Sequence, residues 1–224
     1  MLLVSAFLVV LFTFLSGNCF AQTGAALPKP TGRYAVGRTI VLWTDSSRHE
    51  NPALSTGPPR HIPAYIYYPA LPGTKTANYH PRLSAVKTPS NMAALASQFG
   101  DAWKLVQANV IETHSFEDVP LPAGKETFPI LFFSPGMGLP VCSYSAQLEN
   151  LASHGYVVVA LEHPFDTALV VLPDGTTIIA TPEPDSGPPT MQGLKKDLAR
   201  EDAWVADTEF AFLHLTELES QKSG

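Results

Sequence analysis

The chain has very little cysteine. Cys19 and Cys142 are the only two among 224 residues. If an N-terminal leader takes Cys19 away, one thiol remains and no internal disulfide can form, so the fold must hold through its core alone. Charge is also scarce. Charged residues make up 15% of the chain, the net charge is −6 and the sequence pI is near 5.6. That balance excludes the basic face a nucleic-acid partner requires. No Asn-x-Ser/Thr sequon occurs, so no N-linked glycan is expected. The apolar run Leu2 to Leu15 is about 14 residues, short of the ~20 that span a bilayer as a helix. No internal repeat is visible.

That opening run is read as a signal peptide over residues 1–21, removed on secretion. Cys19-Phe20-Ala21 places small residues at the two positions a signal peptidase reads, and cleavage is expected after Ala21. No charged residue precedes Lys29, which leaves the leader without its usual basic start. A short membrane anchor is the competing reading; length and the cleavage site favour secretion. Residues 22–31 read as an exposed lead-in, and 32–224 as the N-terminal portion of one domain.

An apolar share of 45% is ample for a buried core. The chain holds 21 prolines, many of them before residue 135, which predicts loops and short strands in the first half. Arg38 to Trp43 and Ala64 to Tyr68 read as strands that pair antiparallel. Ser90 is expected to cap a helix through Phe99, with Met92, Leu95 and Ala96 on one side. A second helical stretch carries Trp103, Val106 and Val110, and both read as packing helices.

Phe128 to Phe133 is continuously apolar and predicts a strand at the centre of a covered sheet. Ser143 to Ser153 follows as a helix, with Tyr144, Leu148 and Leu151 on one face and Gly155 beyond its end. Tyr156 to Leu161 is a second buried strand. Strand, short helix, strand is a βαβ unit, which implies parallel pairing. Leu169 to Ala180 reads as a hairpin around Asp174-Gly175, and Thr181 to Pro189 as a proline-rich loop. Leu194 to Leu218 is the longest helical pattern, with Ala199, Ala203, Ala206, Phe210 and Leu213 as its stripe.

The informative segment runs from Phe128 to Pro164. Ser134-Pro135-Gly136-Met137-Gly138 closes an apolar strand with a glycine turn, a weak signal by itself. Glu126 to Gly138 resembles the strand and oxyanion loop of the secreted platelet-activating-factor acetylhydrolase family of α/β-hydrolases. Leu151 to His163 follows at the family's spacing. Glu162-His163-Pro164-Phe165-Asp166-Thr167 and Leu172-Pro173-Asp174-Gly175 resemble its microbial branch. Gly32 to Gly37 and Ile66 to Ala70 resemble its opening segments, and Asp207-x-x-Phe210-x-x-Leu213 the helix before its nucleophile strand. The match covers about residues 30–218 with gaps, and the ordered run of motifs makes it specific.

The resemblance implies an incomplete α/β-hydrolase fold, with antiparallel N-terminal strands leading into a parallel sheet with flanking helices. It implies a carboxylic ester hydrolase that releases a short acyl group from the sn-2 position of a phospholipid such as platelet-activating factor. In this fold a backbone N–H after an early strand stabilises the oxyanion of the reaction. Here that donor is the N–H of Met137, with Gly136 and Gly138 shaping the turn. Pro135 stands where many members have histidine, which leaves backbone donation intact.

The chain contains no Gly-x-Ser-x-Gly. The family's nucleophile, acid and base are therefore expected beyond Gly224, and residues 1–224 are expected to lack turnover. None of the serines is assigned the nucleophile's role: Ser134 precedes the wrong turn, and Ser143, Ser145 and Ser153 sit on a helix. His163 could line the site but reads better as an anchor of the strand end. His154 is a helix-end residue. His49-Glu50 is no zinc motif, because Ala53 stands where the second histidine should be. His61, His80, His114 and His214 have no partner spacing. Neither metal nor cofactor is expected, and Gly136-x-Gly138 lacks the third glycine of a dinucleotide fingerprint. Cys142 reads as a buried, unreactive thiol. The expected partner is a phospholipid or other small ester; lipid-surface contact and oligomeric state stay open. Two further readings are a secreted non-catalytic protein that binds lipid or ester, and a general carboxylesterase or polyester hydrolase of the same fold.

Overall fold

The computed structural model describes residues 25–51, 56–124, 126–180 and 190–222. Residues 1–21, read above as a signal peptide, and the proline-rich segment 181–189 lie outside the described residues. Nine strands and four α-helices are seen among them. In chain order they are β1 (Ala25–Ala26), β2 (Ala35–His49), β3 (Pro59–Ala70), α1 (Pro89–Phe99), α2 (Trp103–Gln107), β4 (Ile111–Glu112), β5 (Ser115–Glu117), β6 (Ile130–Phe133), α3 (Ser145–Ser153), β7 (Val157–Leu161), β8 (Leu169–Val171), β9 (Thr177–Ile179) and α4 (Met191–Lys222).

The main sheet has the order β5-β2-β3-β7-β6. β2 and β3 pair antiparallel in a long register from Ala35↔Ala70 to His49↔Pro59, with a bulge between Asp45 and His49. β7 runs antiparallel to β3 and parallel to β6, with Leu131 opposite Val158 and Phe133 opposite Ala160. The expected antiparallel entry and the βαβ unit are both present. The residues that form it alternate strictly, as the two-residue pleat requires. Leu131, Phe133, Val158, Ala160, Tyr65 and Tyr67 pack with Leu148 and Ala152 of α3. Phe132, Val159, Leu161, Ile62 and Ala64 pack with Phe210 and Ala211 of α4.

β6 is the outer strand among the described residues, with Ile130 half exposed, in keeping with the incomplete sheet expected of this chain. Three expectations need correction. α1 is capped by Thr88, whose hydroxyl accepts from the Asn91 N–H at 3.3 Å, and not by Ser90. Pro89 at the first helical position suits that start, since it has no N–H to satisfy. α3 is preceded by a 3-10 turn over Val141–Tyr144. On α4, Ala199 and Leu213 are exposed; the buried line is Ala203, Asp207 and Ala211.

The lead-in is held down. β1 pairs with β4, and the Thr31 N–H donates to Asn150 Oδ1 at 2.9 Å. α1 and α2 are packing helices, as expected: Leu95, Met92, Phe99 and Trp103 close over Leu169 and Val171. β8 and β9 form the expected hairpin, and Asp174 accepts from the Thr176 N–H at 2.8 Å to fix its turn.

Candidate active site

The turn after β6 is built from its two ends inward. Gly138 has φ +79°, a left-handed conformation that suits glycine. Its N–H donates to the Asp166 carbonyl at 3.0 Å, and it forms an isolated bridge with Thr167. Gly136 serves differently. Its N–H donates to the Tyr144 hydroxyl at 3.1 Å, and a Cβ there would lie 3.0 Å from that oxygen. Tyr144 is in turn set edge-on against Phe133, with centroids 5.0 Å apart. Leu139 donates to the Gly136 carbonyl at 3.0 Å and closes the turn. Between these committed groups, the N–H of Met137 has no acceptor among the described residues. The Met137 side chain is 63% exposed, and its sulfur accepts from Arg200 Nη1 at 2.9 Å.

The turn is gripped by the segment after β7. Asp166 and Thr167 both donate backbone N–H groups to the His163 carbonyl, at 3.1 and 3.0 Å, and Phe165 takes a positive φ of 73°. This knot holds Gly138 through Asp166 and holds Ser134 through the His163 ring. α4 secures the knot from behind. Trp204 Nε1 donates to Asp166 Oδ2 at 2.7 Å, and Arg200 Nε pairs with Asp166 Oδ1 at 2.8 Å.

His163 is buried and anchors the strand end, as the sequence suggested, but its partners were not foreseen. Its Nδ1 lies 2.9 Å from Asp207 Oδ2, and its Nε2 lies 3.1 Å from Ser134 Oγ. The ring stacks on Trp204, with centroids 5.0 Å apart and planes 10° from parallel. Asp207 is fully buried and also accepts both arms of Arg60, at 3.1 and 2.6 Å, while Arg48 Nη2 lies 2.9 Å away. Burial alone would push this carboxyl up. Hydrogen bonds from His163 and Arg60, with the charge of Arg60, outweigh it and hold the group down to about 2. Asp207 stood out in the sequence only as part of a family-like motif, outside the apolar stripe read for α4. Its partners, 44 and 147 residues away, were not readable there.

On the opposite side of the strand end, Glu162 is buried beside Tyr65 and the Val141 N–H, with contacts of 3.4 and 3.3 Å. Among the described residues no cation is in salt-bridge contact with it; burial pushes its carboxyl up to about 7, against the Val141 N–H and the more distant charge of Arg82. Cys142 is buried nearby, and burial together with Glu162 raises its thiol well above the ordinary range. That agrees with an unreactive thiol. Three other histidines gain partners that spacing could not reveal. His61 pairs with Glu50 at 2.6 Å, His114 Nε2 lies 2.8 Å from the Leu27 carbonyl, and His154 Nδ1 lies 2.8 Å from the Asn150 carbonyl. His214 stacks on Phe210.

Among the described residues a groove of about 860 Å³ lies between β6 and α4, lined by Phe132, Ser134, Trp204, Val205, Phe212 and Leu213, on the side where the strand expected after α4 would pair.

Comparison with known proteins is consistent with this geometry. Over 164 residues the chain is 27% identical to a probable 1-alkyl-2-acetylglycerophosphocholine esterase of Arthroderma benhamiae (strain ATCC MYA-4681 / CBS 112371), covering 68% of this chain and 40% of that protein. Over 145 residues it is 28% identical to a platelet-activating factor acetylhydrolase of Cavia porcellus, covering 63% of this chain and 30% of that protein. The chain thus spans less than half the length of these curated relatives. The fold is similar to that of a ferulic acid esterase from Streptomyces cinnamoneus, with a TM-score of 0.53 and 26% identity over 70% of this chain and 42% of that one. The described strands and helices therefore form part of an α/β-hydrolase fold. Residues 20–173, more than half of the chain, match the model of one family, and the chain belongs to it: platelet-activating factor acetylhydrolase, isoform II.

Proposed function

We propose that this chain carries the oxyanion-binding half of a secreted carboxylic ester hydrolase, with the N–H of Met137 as the donor. One observation carries the reading. At the carboxyl end of a parallel strand, where ligands meet such sheets, the N–H groups of Gly136 and Gly138 are committed and the one between them meets no acceptor among the described residues. A donor fixed in this way meets the charge that develops on an ester carbonyl oxygen without having to reorganise. Gly136 and Gly138 hold its direction, one by leaving room for Tyr144 and the other by its left-handed φ.

The preferred substrate is a phospholipid with a short sn-2 acyl group, the ester class in the names of both curated relatives. A broader carboxylesterase range is the second reading, favoured by the ferulic acid esterase whose fold is similar. The attacking serine, its histidine and its aspartate are placed beyond Gly224, so purified residues 1–224 should hydrolyse a 2-acetyl phospholipid no faster than background. Saturable turnover by this chain, abolished by a substitution within it, would overturn that part of the reading. A Gly-x-Ser-x-Gly in the reading frame within some tens of codons after Gly224 would support it.

A further inference from the structure

Asp166 grips the molecule at both ends of one residue. Its carbonyl accepts the Gly138 N–H at 3.0 Å. Its carboxylate reaches α4, where Oδ2 accepts from Trp204 Nε1 at 2.7 Å and Oδ1 lies 2.8 Å from Arg200 Nε. The Asp166 and Arg200 side chains are only 13% and 20% exposed, so water weakens this charge-assisted contact little. The backbone held in this way is strained. Phe165, one residue earlier, has φ +73°, a value that L residues rarely adopt. Asp166 and Thr167 both turn their N–H groups onto the His163 carbonyl. Such a conformation persists only where its surroundings over-determine it, and the two bonds to α4 supply that hold.

The group that Asp166 accepts belongs to the peptide that sets the form of the turn. The Gly136 carbonyl accepts the Leu139 N–H, and Gly138, third of these four residues, has φ +79°. Both are marks of a type II turn. Types I and II differ by a flip of the central peptide, here the one between Met137 and Gly138. Its N–H is the one held by the Asp166 carbonyl. The preceding peptide carries the Met137 N–H. Its carbonyl, that of Gly136, is tied inward to Leu139, and in a trans peptide the N–H points the opposite way, out of the turn.

We propose that Asp166 is the positioning residue of the oxyanion turn, an inference that rests on the reading of Met137 as the donor. Clamped by Trp204 and Arg200, it keeps the central peptide from flipping and the Met137 N–H aimed outward. Asp166 itself touches no substrate. Its contribution is to spare the turn a rearrangement when charge develops on the ester oxygen, so it acts on kcat and leaves binding alone. Trp204 thereby has two separate uses: its ring stacks on His163, and its N–H holds Asp166.

Two measurements test this. Hydrogen exchange of the Gly138 amide in residues 1–224 reads the hold on the turn. The kcat and KM of a form whose reading frame includes Gly-x-Ser-x-Gly read what the hold serves. Asp166→Ala removes both bonds to α4. Trp204→Phe removes one and keeps an aromatic ring against His163, which guards against a variant that fails to fold. Gly138 exchange is expected to quicken about 10-fold or more in Asp166→Ala, as for loss of a hydrogen bond to a charged group. It should quicken less in Trp204→Phe, and β7 amides should keep their rates in both. In the longer form, kcat should fall by up to about 100-fold in Asp166→Ala with KM unchanged, the scale of a small misplacement of a catalytic group. Equal Gly138 exchange in all three chains, or a rise shared by β7, would overturn the proposal whatever the kcat. Quickened Gly138 exchange with an unchanged kcat would uphold the grip of Asp166 and overturn the reading of Met137 on which its role rests.

Discussion

Glu162 and Asp207 are both buried carboxyl groups near the end of β7, on opposite sides of the sheet, and they behave in opposite ways. Burial raises both. Glu162 has a tyrosine hydroxyl and one backbone N–H for company, and it stays high at about 7. Asp207 has two guanidiniums and an imidazole, and it falls to about 2. Partners, and not depth, decide the sign. The α3 side of the sheet also buries Arg38 and Glu149, but neither bonds to Glu162, whose carboxyl is left to burial. The α4 side concentrates fixed charge beneath the turn that carries Met137. One residue position separates the two roles, because Glu162 and His163 point to opposite faces.

The largest way to break this contrast is Asp207→Asn. It leaves Arg60 and His163 buried without their anion, while Arg48 keeps Asp45, and should cost about 3–5 kcal/mol in urea denaturation, the usual penalty for stranding a buried charge. Glu162→Gln should do the reverse near neutrality. A folded-state value raised from the usual 4.5 to about 7 means that stability is full below pH 4.5 and declines as pH rises through 7. At about 1.4 kcal/mol per pH unit the decline is about 3 kcal/mol, and it should flatten in the glutamine variant. Asp207 has the opposite sign. Its value is lowered from 3.8 to about 2, so its stabilisation holds above pH 3.8 and fades as pH falls through 2. That acid limb is about 2 kcal/mol and should vanish in Asp207→Asn. The smallest effect is at the turn itself: Gly138→Ala forces a Cβ into a left-handed conformation and should cost about 1–2 kcal/mol in thermal or urea unfolding.

The sheet was legible because its signals are local. Val157 to Leu161 and Ile130 to Phe133 are apolar at every position, and the helix between them places Leu148 inward with a glycine after its end. The open side of β6 was legible from the resemblance, since the strand expected after α4 is not in residues 1–224. The turn was located correctly from two glycines and a resemblance. Its supports were not, because they are long-range: Asp166 and Thr167 reach Gly138, and Asp207 reaches His163 from a helix whose apparent stripe pointed elsewhere. The contact of Ser134 with a histidine 29 residues away was not legible for the same reason.

The donor role of Met137 is tested most directly by kcat in a form of the protein whose reading frame includes Gly-x-Ser-x-Gly. Met137→Pro removes the backbone N–H, whereas Met137→Leu keeps it and alters only the side chain. The account predicts that kcat for a 2-acetyl phospholipid falls about 10²–10³-fold in the proline variant, with the fold intact by circular dichroism, and stays near the starting value in the leucine variant. A folded proline variant that keeps its kcat would contradict it.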